Sequence, residues 1–144
     1  MMITSNIEIT KYLKDCRHFL GCFSSTNLPN FPHEKLPTSL IVNVSGHWIA
    51  ILLLKNVCLY FDSFGSRKYR NEKICYEVLN FLHNKYTTIF VNGERVQDYS
   101  SIKCAEFCLA FIKNVNSLDS YQLFLNNFDS KNKKNNDYIV KDLY

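Results

Sequence analysis

Three apolar stretches rich in β-branched residues follow one another in the middle of the chain and constrain its fold most. They cover residues 39–44, 47–54 and 57–62. Only Lys55 and Asn56 separate the last two stretches, which is the length of a tight hairpin loop. Because the stretches are apolar without regular alternation, we expect strands that are covered on both faces. The centre of the chain therefore predicts a buried β-sheet with helices packed against it.

Helical patterns and one further short strand surround this centre. The predicted elements are helices at 7–15 (with Asn6 as N-cap), 72–83, 104–115 and 118–128, and a strand at 87–91. Residues 27–37 contain all three prolines of the chain and predict an irregular connection. We interpret residues 1–144 as a single α+β domain, a central mixed sheet packed by helices, in which 129–137 form an Asn/Lys-rich surface segment.

Composition excludes several classes of protein. The chain has 144 residues, 47% of them hydrophobic and 21% charged, which is typical of a globular domain and not of a disordered one. The longest apolar run, residues 48–54, is too short to span a membrane, and the N-terminus shows no signal-peptide pattern. None of the six cysteines forms a C-x-x-C pair. We therefore expect free thiols in a reducing compartment, no metal and no cofactor, and a protein that is not secreted.

The net charge of +4 makes the chain mildly basic. Lys131, Lys133 and Lys134 cluster near the C-terminus, where a short charge cluster is usually a solvated surface. Such lysines allow weak, salt-sensitive contact with DNA, but no nucleic-acid-binding motif accompanies them.

The predicted hairpin brings a histidine and an acid together. With a loop of Lys55 and Asn56, Leu54 pairs with Val57, which places Asp62 opposite Ile49. His47 lies two residues before Ile49 and therefore on the same face as Asp62, within side-chain reach. A carboxylate in that position can hold the tautomer of the imidazole and stabilise the imidazolium.

Cys104 stands at the start of a predicted helix, after the capping candidates Ser100 and Ser101. Backbone N–H groups and the helix dipole at that end favour a thiolate, which is the reactive form of cysteine. The same N–H groups could stabilise an oxyanion, and the amide of Gln97, in the preceding loop, could add a donor. His47, Asp62, Gln97 and Cys104 thus form a candidate catalytic set.

The order of these four residues resembles that of adenovirus proteases (adenains) and the related SUMO-deconjugating proteases. The matching motifs are Gly46-His47-Trp48, Asp62-Ser63-Phe64-Gly65, Gln97 with Cys104 seven residues later, and Phe19-Leu20-Gly21 followed by Asn30-Phe31. One departure is Ala105, where the family usually has glycine after the nucleophile.

The resemblance implies a papain-like or adenain-like fold and a thiol endopeptidase that cuts viral or virus-like structural precursors, from capsid or core, at glycine-containing sites. It implies that Trp48 narrows the substrate channel so that only glycine passes. It also implies a monomer in the host-cell nucleus or the virion, without membrane contact, and leaves room for an activating peptide.

Four other interpretations stay open. A metal could bind at Cys16, His18 and Cys22, or at Cys104 with Cys108, although neither set offers two well-spaced pairs. The chain could also be a ubiquitin-like-protein deconjugase, an acetyltransferase of the same clan, or an inactive binding module on the protease fold.

Overall fold

In a computed structural model, the protein is described at residues 5–29, 35–65, 76–83 and 85–144. The described chain forms a five-stranded mixed sheet in the order β1-β2-β3-β4-β5, packed by helices. The strands are β1 (Phe19–Ser24), β2 (Thr38–Val44), β3 (His47–Leu53), β4 (Cys58–Phe61) and β5 (Ile89–Val91). The helices are α1 (Asn6–Tyr12), α2 (Tyr76–His83), α3 (Cys104–Asn114), α4 (Leu118–Leu125) and α5 (Asn136–Lys141). The predicted α+β class and mixed sheet are confirmed.

Two tight hairpins set the register of β2, β3 and β4. Ser45 and Gly46 join β2 to β3, and both have positive φ (52° and 89°), the backbone that a two-residue hairpin turn requires. Between β3 and β4 the register pairs Ala50 with Phe61, and Leu54 N–H donates to Val57 O at 3.0 Å. This is the predicted register, and it directs His47 and Asp62 towards each other.

The sheet is covered on both sides, as its unbroken apolar runs predict. One face packs on α1, α3, α4 and α5, and its buried side chains include Ile41, Ala50, Leu52, Leu59 and Phe61. The other face packs on α2 through Val78 and Leu82. Helix α3 lies in the interior and is buried from Ala105 to Ile112. This burial fixes the position of its first residue, Cys104.

Several predicted boundaries are corrected. The N-cap of α1 is Ser5, whose hydroxyl accepts from Glu8 N–H, and not Asn6. The helix predicted at 118–128 ends at Leu125, and it buries Phe124 while Leu118 is exposed. Helix α2 is described from Tyr76 onward, so the predicted part at 72–75 lies outside the described residues, as do Asn30 and Phe31 of the quoted motif.

Strand β1 was not predicted. It pairs in parallel with β2 and has an irregularity between Phe19 and Gly21. Parallel strands are joined by a long connection, so the sequence shows no hairpin turn that would predict the pairing. Its mixed exposure at the edge of the sheet also hides the period of a strand.

The Asn/Lys-rich segment 129–137 is only partly a solvated surface. Lys131 and Lys134 are exposed, but Asn136 is fully buried and donates to Val96 O at 2.7 Å and Asp129 O at 3.0 Å. The segment therefore anchors α5 to the loop that precedes α3. Among the described helices, each is too short or too polar to cross a bilayer.

Candidate active site

His47 and Asp62 form an ion pair at the end of the hairpin. The Nε2 atom of His47 lies 2.7 Å from Oδ1 of Asp62, and both side chains are largely shielded from solvent. The same Oδ1 atom accepts from Phe64 N–H at 2.9 Å. The carboxylate is therefore held from both sides and orients the imidazole.

The environment of His47 favours the imidazolium. Burial is the largest single influence and acts to lower the pKa, but hydrogen bonds and charge from Asp62 and Cys104 outweigh it and raise the pKa of His47 to about 9. Asp62 engages Nε2 of His47, which leaves Nδ1 as the ring nitrogen outside this ion pair. The structure thus brings His47 and Asp62 into contact, and Cys104 contributes to the raised pKa of His47.

Cys104 is the first residue of α3 and is half-buried. The helix has Lys103 at its N-cap, and the Lys103 side chain makes no capping hydrogen bond. The N–H groups of a helix start that lacks a capping side chain are available to an anion. Ser100 and Ser101 are therefore not the caps that the sequence predicted.

The turn at residues 62–65 connects Asp62 to Gln97. Ser63 O accepts from the N–H groups of Val96 and Gln97, both at 2.9 Å, and Ser63 Oγ donates to Gln97 Oε1 at 2.5 Å. A hydroxyl donor on Oε1 fixes the orientation of the amide, so Nε2 lies on the opposite side. Gly65 closes the turn with φ +79°, and a Cβ there would lie 2.8 Å from Arg95 N.

Gln97 is fully buried, and its amide donors are already engaged. Nε2 donates to Ser101 O at 3.0 Å and to Ser101 Oγ at 3.1 Å. Ser101 Oγ in turn donates to Asp137 of α5 at 2.8 Å. In this arrangement Gln97 would have to exchange one bond to Ser101 before it could reach an oxyanion.

Asn92 directly follows the strand predicted at 87–91 and was not predicted as a site residue. Its side-chain oxygen accepts from Asp62 N–H at 3.0 Å, and its Nδ2 donates to Asp62 O at 2.6 Å. Nothing in the sequence pattern distinguishes this Asn from an ordinary turn residue. Its contact with Asp62 depends on the parallel pairing of β4 with β5, two strands that are distant in the sequence.

Aromatic rings line one side of His47. The imidazole lies 4.8 Å from the Phe64 ring, and Phe64 stacks at 6.4 Å on Tyr99, which is 61% exposed. The guanidinium of Arg95 lies 3.6 Å from the Tyr99 ring centroid, at cation–π distance. Phe64 was quoted only as part of a motif, and these ring contacts were not predicted.

Trp48 follows His47 on β3 and is largely buried. It is 9% exposed and belongs to the hydrophobic core that α3 packs on, with Cys104 against the same core. Its accessible edge borders a cavity of about 360 Å³ shared with Cys22, Ser24 and Asn43. The indole therefore belongs to the same hydrophobic cluster that Cys104 packs against.

Cys108 and Cys22 are poorly suited to attack. Cys108 is fully buried on α3, and burial raises the pKa of its thiol well above the ordinary value. Burial likewise raises the pKa of Cys22 to about 11. The five cysteines in the described part of the chain are free, and those residues contain no cluster of three or more His, Cys, Asp or Glu side chains able to hold a metal.

Comparisons with known proteins give only distant likenesses. No protein-family model and no curated protein matches the chain. A solved structure of the central domain of the uncharacterized Lpg1148 protein from Legionella pneumophila is 12% identical, with a TM-score of 0.45 over 88% of both chains. A solved structure of a de-sumoylating protease is 15% identical, with a TM-score of 0.41 over 96% of this chain and 60% of that one.

Proposed function

We propose that this protein is a cysteine endopeptidase in which Cys104 is the nucleophile, His47 the general base and acid, and Asp62 the residue that orients the imidazole. The observation that carries the proposal is the position of His47, which lies 2.7 Å from the Asp62 carboxylate and whose pKa is raised by both Asp62 and Cys104. A thiolate beside an imidazolium at the start of a helix is a standard arrangement for an activated cysteine.

The chemistry would proceed in two steps. The Cys104 thiolate attacks the scissile carbonyl, and the His47 imidazolium gives its proton to the departing amine as the C–N bond breaks. The resulting thioester is then hydrolysed by a water molecule whose proton passes to His47, which releases the acid product and Cys104. Asp62 keeps its charge throughout and stabilises each imidazolium.

The oxyanion is assigned to the N–H groups at the start of α3 and to Nε2 of Gln97. Support comes from Lys103, whose side chain makes no capping hydrogen bond on α3. Ser63 holds Oε1 of Gln97, and Nε2 is proposed to exchange one of its bonds to Ser101 for the oxyanion. Ala105 is buried within this first turn. Gln97→Glu should lower kcat by about 10²-fold with KM nearly unchanged, and more than Gln97→Ala does, because an anion opposes the developing charge. A near-normal kcat for Gln97→Glu would remove Gln97 from the site.

The proposed substrates are structural precursor proteins of a virus or virus-like element, cut next to glycine. This part rests on the resemblance of the motifs around His47, Asp62 and Cys104, with Trp48 as the proposed determinant of the glycine preference. The same resemblance places the enzyme in the host nucleus or the virion and allows an activating peptide and weak DNA contact. The proposed enzyme acts as a monomer.

A peptide-library cleavage assay on the purified protein, with Cys104→Ala as control, tests this function. We expect hydrolysis that depends on Cys104 and that favours Gly over Ala at P2 in matched peptides. Release of a ubiquitin-like protein without peptide cleavage would make the chain a deconjugase. No Cys104-dependent hydrolysis of either kind would overturn the proposal.

A further inference from the structure

Asp62 follows the last residue of β4 that pairs with a neighbouring strand. The last pair of β3 and β4 is Ala50 with Phe61, and the last pair of β4 and β5 is Tyr60 with Val91. Asp62 is nevertheless buried at 4% exposure. A buried peptide group needs hydrogen-bond partners, and here a side chain provides them.

We propose that Asn92 is a positioning residue for the active site, which holds the Asp62 peptide so that its carboxylate meets His47; this inference rests on the proposed function. Its carboxamide accepts from Asp62 N–H at 3.0 Å and donates to Asp62 O at 2.6 Å. Paired donor and acceptor bonds of this kind extend the ladder between β4 and β5 by one step, after the backbone of β5 has ended.

The orientation of the Asn92 amide is determined by its surroundings. A backbone N–H can only donate, so Asp62 N–H requires the oxygen of the amide. The second N–H of Nδ2 donates to Glu94 O at 3.0 Å, which uses both donors of the group. A flipped amide would place its N–H donors against the N–H donor of Asp62. The paired hydrogen bonds between the Asn92 amide and the Asp62 peptide, called the Asn92 clamp below, therefore form in one orientation of the amide.

Asn92 is itself held by α4. Its backbone N–H donates to the Tyr121 hydroxyl at 3.1 Å, and that hydroxyl donates to Tyr60 O at 2.5 Å. Burial raises the pKa of Tyr121, which keeps the hydroxyl protonated for this role. The position of Asp62 is thus transmitted from α4 through Tyr121 and Asn92 to the carboxylate.

The Asn92 clamp positions Oδ1 of Asp62, the atom that contacts His47. Asp62 Oδ1 accepts from both His47 Nε2 and Phe64 N–H, so a displaced Asp62 backbone moves the carboxylate away from the imidazole. A misplacement on the order of 1 Å can cost about 10²-fold in rate. Loss of the Asn92 clamp should therefore change the protonation of His47 and not only the stability of the fold.

The test measures the pKa of His47 by NMR titration in the whole protein, without substrate. Asn92→Ala should lower this pKa by about 1 or more, and lower kcat about tenfold or more with little change in KM. The matched control is Asn136→Ala, which also removes a buried asparagine bonded to backbone groups, those of Val96 and Asp129. The control should lower stability and leave the His47 pKa unchanged.

Two further variants test the same link. Tyr121→Phe removes only the hydroxyl that contacts Asn92, so it serves even if Asn92→Ala does not fold. It should also lower the His47 pKa, by less than Asn92→Ala does. In the Asp62→Asn background, Asn92→Ala should lower the pKa no further, because the two residues act through one carboxylate.

A folded Asn92→Ala protein with the His47 pKa of the wild type would overturn the proposal, and so would an equal change in Asn136→Ala. The pKa requires no substrate, so absence of peptide cleavage by the wild type would defeat the proposed function and leave this measurement standing.

Discussion

Two cysteine–histidine pairs lie in the part of the chain that the structure describes, and they differ in the third residue. His47 contacts the carboxylate of Asp62 at 2.7 Å, and Cys104 is near enough to raise its pKa. The other pair lies before β1, where Cys16 Sγ is 3.3 Å from His18 Nε2 and the Nδ1 atom of His18 is 2.7 Å from Ser39 Oγ. Both imidazoles are shielded, so burial alone does not separate them.

The charge of the third partner does separate them. Burial lowers the pKa of His18 and raises the pKa of Cys16, which favours a neutral thiol beside a neutral imidazole. The neighbours of His47 raise its pKa to about 9 against the same effect of burial. Contact between cysteine and histidine therefore does not by itself produce a nucleophile; an anionic partner and the start of α3 are what distinguish the site.

The largest difference should appear when each cysteine is removed. Cys104→Ala should lower kcat/KM by about 10³-fold or more, because it deletes the attacking atom. Cys16→Ala should leave kcat/KM near the wild-type value. Equal losses in a peptide-cleavage assay on the two purified variants would contradict the distinction between the pairs.

The third partners provide the next test. Asp62→Asn should lower the pKa of His47 and reduce kcat by about 10²-fold, because the imidazolium loses its counter-charge. The loss should be smaller than that of His47→Ala. Ser39→Ala is the corresponding change in the other pair, and steady-state kinetics should show no effect on kcat. A kcat for Asp62→Asn that matches the wild type would show that the acid has no catalytic role.

Alkylation compares the thiols without any assumption about substrate. At pH 7, iodoacetamide should modify Cys104 about tenfold or more faster than Cys16 or Cys108, because only Cys104 lies beside an imidazolium at a helix start. Mass spectrometry of partially labelled native protein gives the three rates. Comparable labelling of Cys104 and Cys16 would mean that the pairs are equivalent.

The smallest expected effect is a pair of opposite pH dependences of stability. The folded-state pKa of His47 exceeds the unfolded value near 6.5, so its contribution is complete below pH 6.5 and is lost as pH rises towards 9. The pKa of His18 is lowered, so its contribution is present above pH 6.5 and declines as the solution becomes more acidic. Urea unfolding of wild type, Asp62→Asn and His18→Gln across pH 5–9 should show both slopes; a wild-type curve parallel to that of Asp62→Asn would contradict the first.

Much of the fold was predictable because its signals are local. The hairpin of β3 and β4 has a two-residue spacing that fixes its register, and that register alone placed His47 and Asp62 on one face. The start of α3 at Cys104 also agrees with the helical spacing of its buried residues. Short-range periodicity therefore accounts for three members of the candidate site.

What could not be predicted depends on contacts between distant segments. Strand β1 exists through its parallel pairing with β2, and the Asn92 clamp exists because β5 lies beside β4. The engaged amide of Gln97 depends on Ser63 and Ser101, which no pattern connects to it. Asn and Ser are common in turns for local conformational reasons, so a role in positioning a distant residue is recognised only from their tertiary contacts.

The turn at residues 62–65 has a consequence for any attempt to move this site into another scaffold. Asp62 supplies the acid while Ser63 holds Gln97, and Gly65 has no room for a side chain beside Arg95. The turn at residues 62–65 thus positions both the carboxylate of Asp62 and the side-chain amide of Gln97. A graft would have to transplant the four-residue segment together with the loop beneath it, and a single inserted residue would disable both groups at once.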